Sequence, residues 1–189
     1  MNNFLLYKVN YTKLFFKFFL VTVFSLIIIS KASAMSNTKE KLVIELKDGN
    51  VVIDLREDLA PKHVERIKKL TNEGFYDNII FHRVIDGFMA QTGDPTGTGM
   101  GGSEYPDLPA EFTKEPFERG AIGMARSQSP NSANSQFFIC FKAARFLDNQ
   151  YTVWGNVVEG MEHVDNIAKG EPPEYPDKII KMSIISSDD

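Results

Sequence analysis

The chain reads as a mainly β domain of antiparallel strands carrying two helices. Three observations predict this. About eight apolar runs are short, alternate or cluster, and are each closed off by Gly, Pro, Asn or Asp. Only two stretches combine apolar residues at three-residue or four-residue spacing with helix start and stop signals. No internal repeat or low-complexity tract interrupts the series. The pattern admits either a barrel or a sandwich. At 189 residues and 43% hydrophobic content, the chain can supply the core of one domain.

Residues 1–34 are unlike the rest. They hold Lys8, Lys13, Lys17 and Lys31 but no acid, and a largely apolar stretch from Phe18 to Ser30 leads to Ala32-Ser33-Ala34. Positive flank, short apolar stretch and small-x-small site are the parts of a secretory signal peptide cleaved after Ala34. The expected destination is therefore export, periplasmic or secreted. The alternative is an uncleaved membrane anchor through residues 14–30, which falls short of the ~20 apolar residues that span a bilayer. Cleavage would remove four of the 21 basic residues and none of the 25 acids, leaving a formal charge of about −8. So acidic a domain is repelled by phosphate backbones, which argues against a nucleic-acid partner.

Residues 35–41 read as a polar linker, and the domain proper as 42–189. Leu42–Leu46 and Val51–Leu55 alternate around Lys47-Asp48-Gly49-Asn50, a hairpin. Pro61 sits at a first helical turn, Val64, Ile67 and Leu70 follow at three-residue spacing, and Gly74 is the stop, which predicts a helix over 61–72. His63 reads as a surface residue of that helix, with no second metal ligand at a suitable spacing. Phe81-His82-Arg83-Val84-Ile85 and Phe88-Met89-Ala90-Gln91 form strand, turn and strand around Asp86-Gly87. Arg83 cannot lose its proton, so it belongs on a face open to solvent or ligand. Met89 and Gln91 share a face by the two-residue period. His82 is assigned to the interior as a hydrogen-bonded histidine.

Gly93–Gly102 is a glycine-rich loop. No helix follows it, so it reads as a folded border to a groove and not as a phosphate cradle. Ala110–Phe112 is a candidate strand, and Glu115–Arg119 is polar and expected to be exposed. Ala121–Ala125, with Gly120 and Gly123, reads as a strand approached closely by other backbone. In Ser135–Cys140, Gln136 and Phe138 fall on one face while Phe137 and Ile139 fall on the other, giving one side for a core and one for a ligand. Cys140, the single cysteine, reads as a buried thiol. Tyr151–Val158 is a strand holding Trp154, Gly160–Lys169 a short helix capped by Gly170, and Ile179–Ile185 the last strand.

Two of these segments, FHRVIDGFMAQTGD (81–94) and NSQFFIC (134–140), strongly resemble the signature stretches of the cyclophilins, and the likeness runs from about Leu42 to about Ile185. The resemblance implies a closed eight-stranded antiparallel barrel with a helix over each open end. It also implies peptidyl-prolyl cis-trans isomerisation in peptides and in unfolded or exported proteins. That reaction makes and breaks no bond, so it asks for no nucleophile, metal or cofactor, only preference for the twisted amide. By residue-for-residue match, Arg83 is the catalytic position. Phe88, Met89, Phe138 and Leu147 form the proline pocket, and Gln91 and Gln136 hold the substrate backbone. Gly99, Ala125, Arg126, Ser127, Phe146 and Tyr151 complete the substrate track. Taken singly, each apolar member reads as core and Arg83 as an ion-pair partner; their joint spacing favours the site.

The match has departures. Phe146 stands where cyclosporin-sensitive members carry Trp, so cyclosporin binding is expected to be weak at most. Arg126, Ser127 and Tyr151 stand where many members carry Asn, Ala and His. A second reading keeps the groove but makes it a non-catalytic docking module; the intact Arg83 favours the enzyme. No heptad pattern or large apolar stripe asks for a partner, so a monomer is expected.

Overall fold

The computed structural model describes residues 39–187, so the expected leader and most of the expected linker lie outside the described residues. The end of that linker is strand instead: β1 runs Lys39–Leu46 and pairs with β2, Gly49–Leu55. Both alternate as read, with Leu42, Ile44 and Leu46 from β1 and Val51, Ile53 and Leu55 from β2 buried. The remaining strands are β3 (Arg83–Ile85), β4 (Met89–Thr92), β5 (Ala121–Met124), β6 (Phe137–Cys140), β7 (Val153–Glu159) and β8 (Lys181–Ser187). They form one antiparallel sheet in the order β3-β4-β6-β5-β7-β2-β1-β8. The ladder is open and curled and does not run full circle. Among the described residues the gap between its outer edges is crossed by isolated bridges, Ile80 to Lys178 just ahead of β3 and β8, and Val84 of β3 to Gly170.

Helix α1 spans Pro61–Asn72, as the sequence predicts, and buries Val64, Ile67 and Leu70. It ends as Gly74 suggested. Gly74 takes φ +69, its N–H donates to the Thr71 carbonyl, and the Phe75 N–H donates to that of Leu70. Paired 5→2 and 6→1 bonds of this kind satisfy the last carbonyls of a helix. At the other end the sequence reading fails. His63 is fully buried, because Glu111 arrives from a distant loop and accepts from the Lys62 and His63 backbone N–H groups and from His63 Nδ1 at 2.6 Å. Burial outweighs that carboxylate and holds the imidazole below its usual pKa.

Ala110–Phe112 is not a strand. Two of its N–H groups go to side chains, Ala110 to Asn131 Oδ1 and Glu111 to Thr152 Oγ1, which takes those donors from any ladder. Helix α2 is Met161–Asp165, shorter than expected. The Ala168 N–H donates to Asp177 Oδ2 and Lys169 Nζ donates to the Asp165 and Ile167 carbonyls, which draws the chain out of the helix early. Gly170 is not its cap; it bridges to Val84 on β3.

The main core lies on the concave face, between the sheet and α1. Strands β4, β5 and β6 are unusual in being buried on both faces: Phe137, Ile139, Ile122 and Ala90 enter the main core, while Met89, Phe138, Cys140 and Ala121 enter a second apolar cluster. An antiparallel sheet ordinarily leaves one face to water. Here that face carries the site.

Candidate active site

Strand pairing brings the predicted residues together. Arg83 lies opposite Gln91, Gln91 opposite Phe138, and Phe138 opposite Gly123. Directly opposed residues share a face, so these four form one row across β3, β4, β6 and β5. Gly123 makes the row possible. A Cβ there would sit 2.3 Å from Phe138 Cζ and 2.6 Å from Phe117 Cε1, so what approaches this glycine is a pair of aromatic rings and not the backbone expected from sequence.

Phe138, Met89 and Leu147 are buried together. Phe117 stacks against Phe138 at 5.7 Å between centroids, and Tyr151 meets Phe138 edge-on at 5.8 Å. Sequence reading missed Phe117, which is fully buried although its 115–119 segment looked polar. Phe88 is half-buried against the same cluster and packs on Phe146 with centroids 5.3 Å apart. Phe146 is 65% exposed and so forms rim, not floor. Arg126 lies 4.4 Å over the Tyr151 ring, with its guanidinium also donating to the Gln150 carbonyl. Cys140 is buried beside Met89, and burial pushes its thiol up to about 12, which leaves it protonated and inert at neutral pH.

Beside this apolar pocket runs a polar groove of about 470 Å³ lined by Gln91, Gly99, Ala125, Arg126, Ser127 and Gln136, among others. Gln91 Nε2 donates to Gln136 Oε1 at 2.9 Å, and Gln136 Nε2 donates to the carbonyls of Gly99 and Gly101. The far wall is the glycine-rich loop, and one buried carboxylate organises it. Asp94 accepts from the Thr96 N–H and hydroxyl on one oxygen and from the Gly99 and Gly101 N–H groups on the other. The Asp-x-Thr pattern that begins this arrangement was a readable signal. His82 is buried near Gly99 as expected, but neither ring nitrogen makes a hydrogen bond among the described residues, and burial keeps the ring neutral by lowering its pKa.

Arg83 turns out of the sheet's interior, its side chain 40% exposed. Nε donates to Glu171 Oε2 at 2.8 Å, and one terminal nitrogen lies 3.5 Å from Gln91 Oε1. A fixed cation, two linked amides and an apolar pocket therefore share one face of the sheet. Such an arrangement can hold an extended peptide by its polar backbone, sink an apolar ring, and place N–H donors beside the bond between them.

The family described as cyclophilin type peptidyl-prolyl cis-trans isomerase/CLD matches residues 41–184. A probable peptidyl-prolyl cis-trans isomerase of Brucella suis is 55% identical over 170 residues, covering 82% of this chain and 87% of the relative. Among solved structures, a Hirschia baltica cyclophilin superposes with a TM-score of 0.71 at 28% identity, over 78% of this chain and 74% of its own. A Cryptosporidium parvum cyclophilin type isomerase, solved in the presence of the dipeptide Ala-Pro, gives 0.72 at 30% identity, over 78% and 99%.

Proposed function

This chain belongs to the cyclophilin-type peptidyl-prolyl cis-trans isomerases, and from that premise we propose how its own residues carry the reaction. The enzyme catalyses rotation about X–Pro peptide bonds. Uncatalysed, that rotation faces a barrier of about 18 to 20 kcal/mol, because the amide must give up its resonance. As the bond twists, the prolyl nitrogen becomes pyramidal and regains a lone pair while the ring stays apolar. The ring enters the pocket of Met89, Phe138 and Leu147, bordered by Phe88. Gln91 and Gln136 hold the peptide backbone, which runs along Gly99, Ala125, Arg126 and Ser127 and pairs with the main chain there as an added strand. Phe146 and Tyr151 form the rim.

Arg83 supplies the differential. Its terminal N–H groups lie beside the pocket and offer hydrogen bonds that strengthen as the nitrogen's lone pair localises, so they favour the twisted amide over either planar isomer. A 10⁵-fold acceleration needs roughly 7 kcal/mol of such preference. The observation that carries this reading is the single cross-strand row Arg83, Gln91, Phe138. That the Cryptosporidium relative was solved with an Ala-Pro dipeptide supports a proline-containing ligand here.

The test is a protease-coupled proline-turnover assay on the wild type and Arg83→Ala. The variant should lose on the order of 10² to 10³ in kcat/KM, the scale seen when one oriented transition-state donor is removed, with peptide binding largely kept. A wild-type rate equal to the uncatalysed one would leave only the docking-module reading. An unchanged Arg83→Ala rate would remove Arg83 from the mechanism.

A further inference from the structure

The row that contains Arg83 continues past β3. Val84 and Gly170 exchange both backbone hydrogen bonds, each 2.8 Å, in an antiparallel bridge. That pairing makes Glu171 the cross-strand neighbour of Arg83. Gly170 is suited to the job: its φ is +149, and a Cβ there would lie 2.6 Å from Pro173 Cα. Glu171 Oε2 then accepts from Arg83 Nε at 2.8 Å.

The side-on geometry of this pair matters. Arg119 meets Asp165 end-on, with both terminal nitrogens engaged at 2.8 and 2.7 Å. Arg83 meets Glu171 through Nε alone, and among the described residues one terminal N–H has a further contact, the long one to Gln91. A guanidinium carries five N–H donors, so about three remain for a ligand. Because the group is planar, fixing Nε also fixes its roll about the side-chain axis, and with it the direction of the terminal edge.

We propose that Glu171 is a positioning residue for the isomerisation: it grips the catalytic guanidinium by its inner edge and so aims the outer edge at the prolyl nitrogen. The inference rests on the role given to Arg83 above. Both side chains are about half exposed, and surface pairs of that kind contribute little to stability. Loss of Glu171 therefore misaims a donor without loosening the fold, and a misplacement of that sort can cost rate steeply.

The experiment measures kcat and KM separately for Glu171→Ala and Glu171→Gln, alone and in the Arg83→Ala background, with thermal melts alongside. Glu171→Ala should lose roughly tenfold in kcat with KM and melting temperature little changed. Glu171→Gln, which keeps an acceptor oxygen, should recover most of that rate. In the Arg83→Ala background the Glu171→Ala effect should vanish, since Glu171 acts only through Arg83. The Arg83 Nε–H NMR resonance should shift in Glu171→Ala. A Glu171→Ala enzyme as fast as the wild type, or an equal loss with and without Arg83, overturns the proposal. If instead Arg83→Ala itself keeps full turnover, the reading of Arg83 fails first and is recognised as a separate failure.

Discussion

At Gly123 a single hydrogen decides the shape of the apolar pocket. The residue lies opposite Phe138, and a methyl group there would overlap both the Phe138 and Phe117 rings. Neither ring can move deeper, since Phe138 is 5% exposed and Phe117 fully buried, and the pocket is the open direction for Phe138. Overpacking of this kind typically costs about 1–3 kcal/mol. Gly123→Ala should therefore lower the unfolding free energy measured in urea by that order and also impair turnover, because the strain is relieved by pushing Phe138 into the pocket. Replacing the ring as well, in Gly123→Ala/Phe138→Leu, should restore much of the stability but not the rate. A single variant with wild-type turnover would mean that Phe138 does not shape the pocket.

At the scale of elements, what was legible followed from regular strands. The two-residue period placed Met89 with Gln91 on one face because β4 runs straight through both. It held for Gln136, one residue before β6, because the extended backbone continues there, with the Ala125 N–H donating to the Gln136 carbonyl and the Gln91 side chain reaching that of Gln136. Glu171 was invisible because its link to Arg83 crosses 88 residues and depends on one isolated bridge. His63 was misread for a similar reason, as its carboxylate partner comes from a loop 48 residues away. The glycine-rich loop was placed correctly as a groove wall, but its fastening by Asp94 sets a pH dependence that composition alone does not reveal. Burial pushes the Asp94 pKa up. Hydrogen bonds from the Thr96 hydroxyl and from the Thr96, Gly101 and Gly99 N–H groups outweigh that and bring it from 3.8 to about 2. A carboxylate depressed in the folded state stabilises fully above its unfolded pKa, and the benefit is lost as pH falls through the folded value. The contribution is about 2 kcal/mol at neutral pH by linkage. Unfolding midpoints of the wild type and Asp94→Asn should thus differ clearly at neutral pH and converge between about pH 4 and pH 2. Parallel curves over that range would show that the loop does not depend on the charge.

At the scale of the whole molecule, the fold is fastened by joining its two ends. Strand β8 pairs with β1 along its full length, Lys39 facing Ser187 and Glu45 facing Lys181, and it buries Met182. The segment before β8 is tied down as well: Ile179 exchanges backbone hydrogen bonds with Ile79 and Asn78, and the Ile180 N–H donates to the Glu45 carbonyl. This is the same segment that carries Glu171 to Arg83, at the opposite end of the ladder from β8. Removing residues 181–189 takes away no residue of the pocket or groove, yet it leaves β1 as a bare edge strand with unpaired backbone, a template for aggregation. It also frees the anchor of the Glu171 segment. Native domains are stable by only about 5–15 kcal/mol, and a lost edge strand with its buried side chain is a large part of that. The shortened chain should lose its cooperative urea transition and its turnover together. A synthetic peptide of residues 178–189 added in trans should restore both, because the groove depends on the ladder being completed at its far edge and not on covalent continuity. If the shortened chain kept full turnover, β8 would be a dispensable edge strand, and the site would be held by β3 to β6 alone.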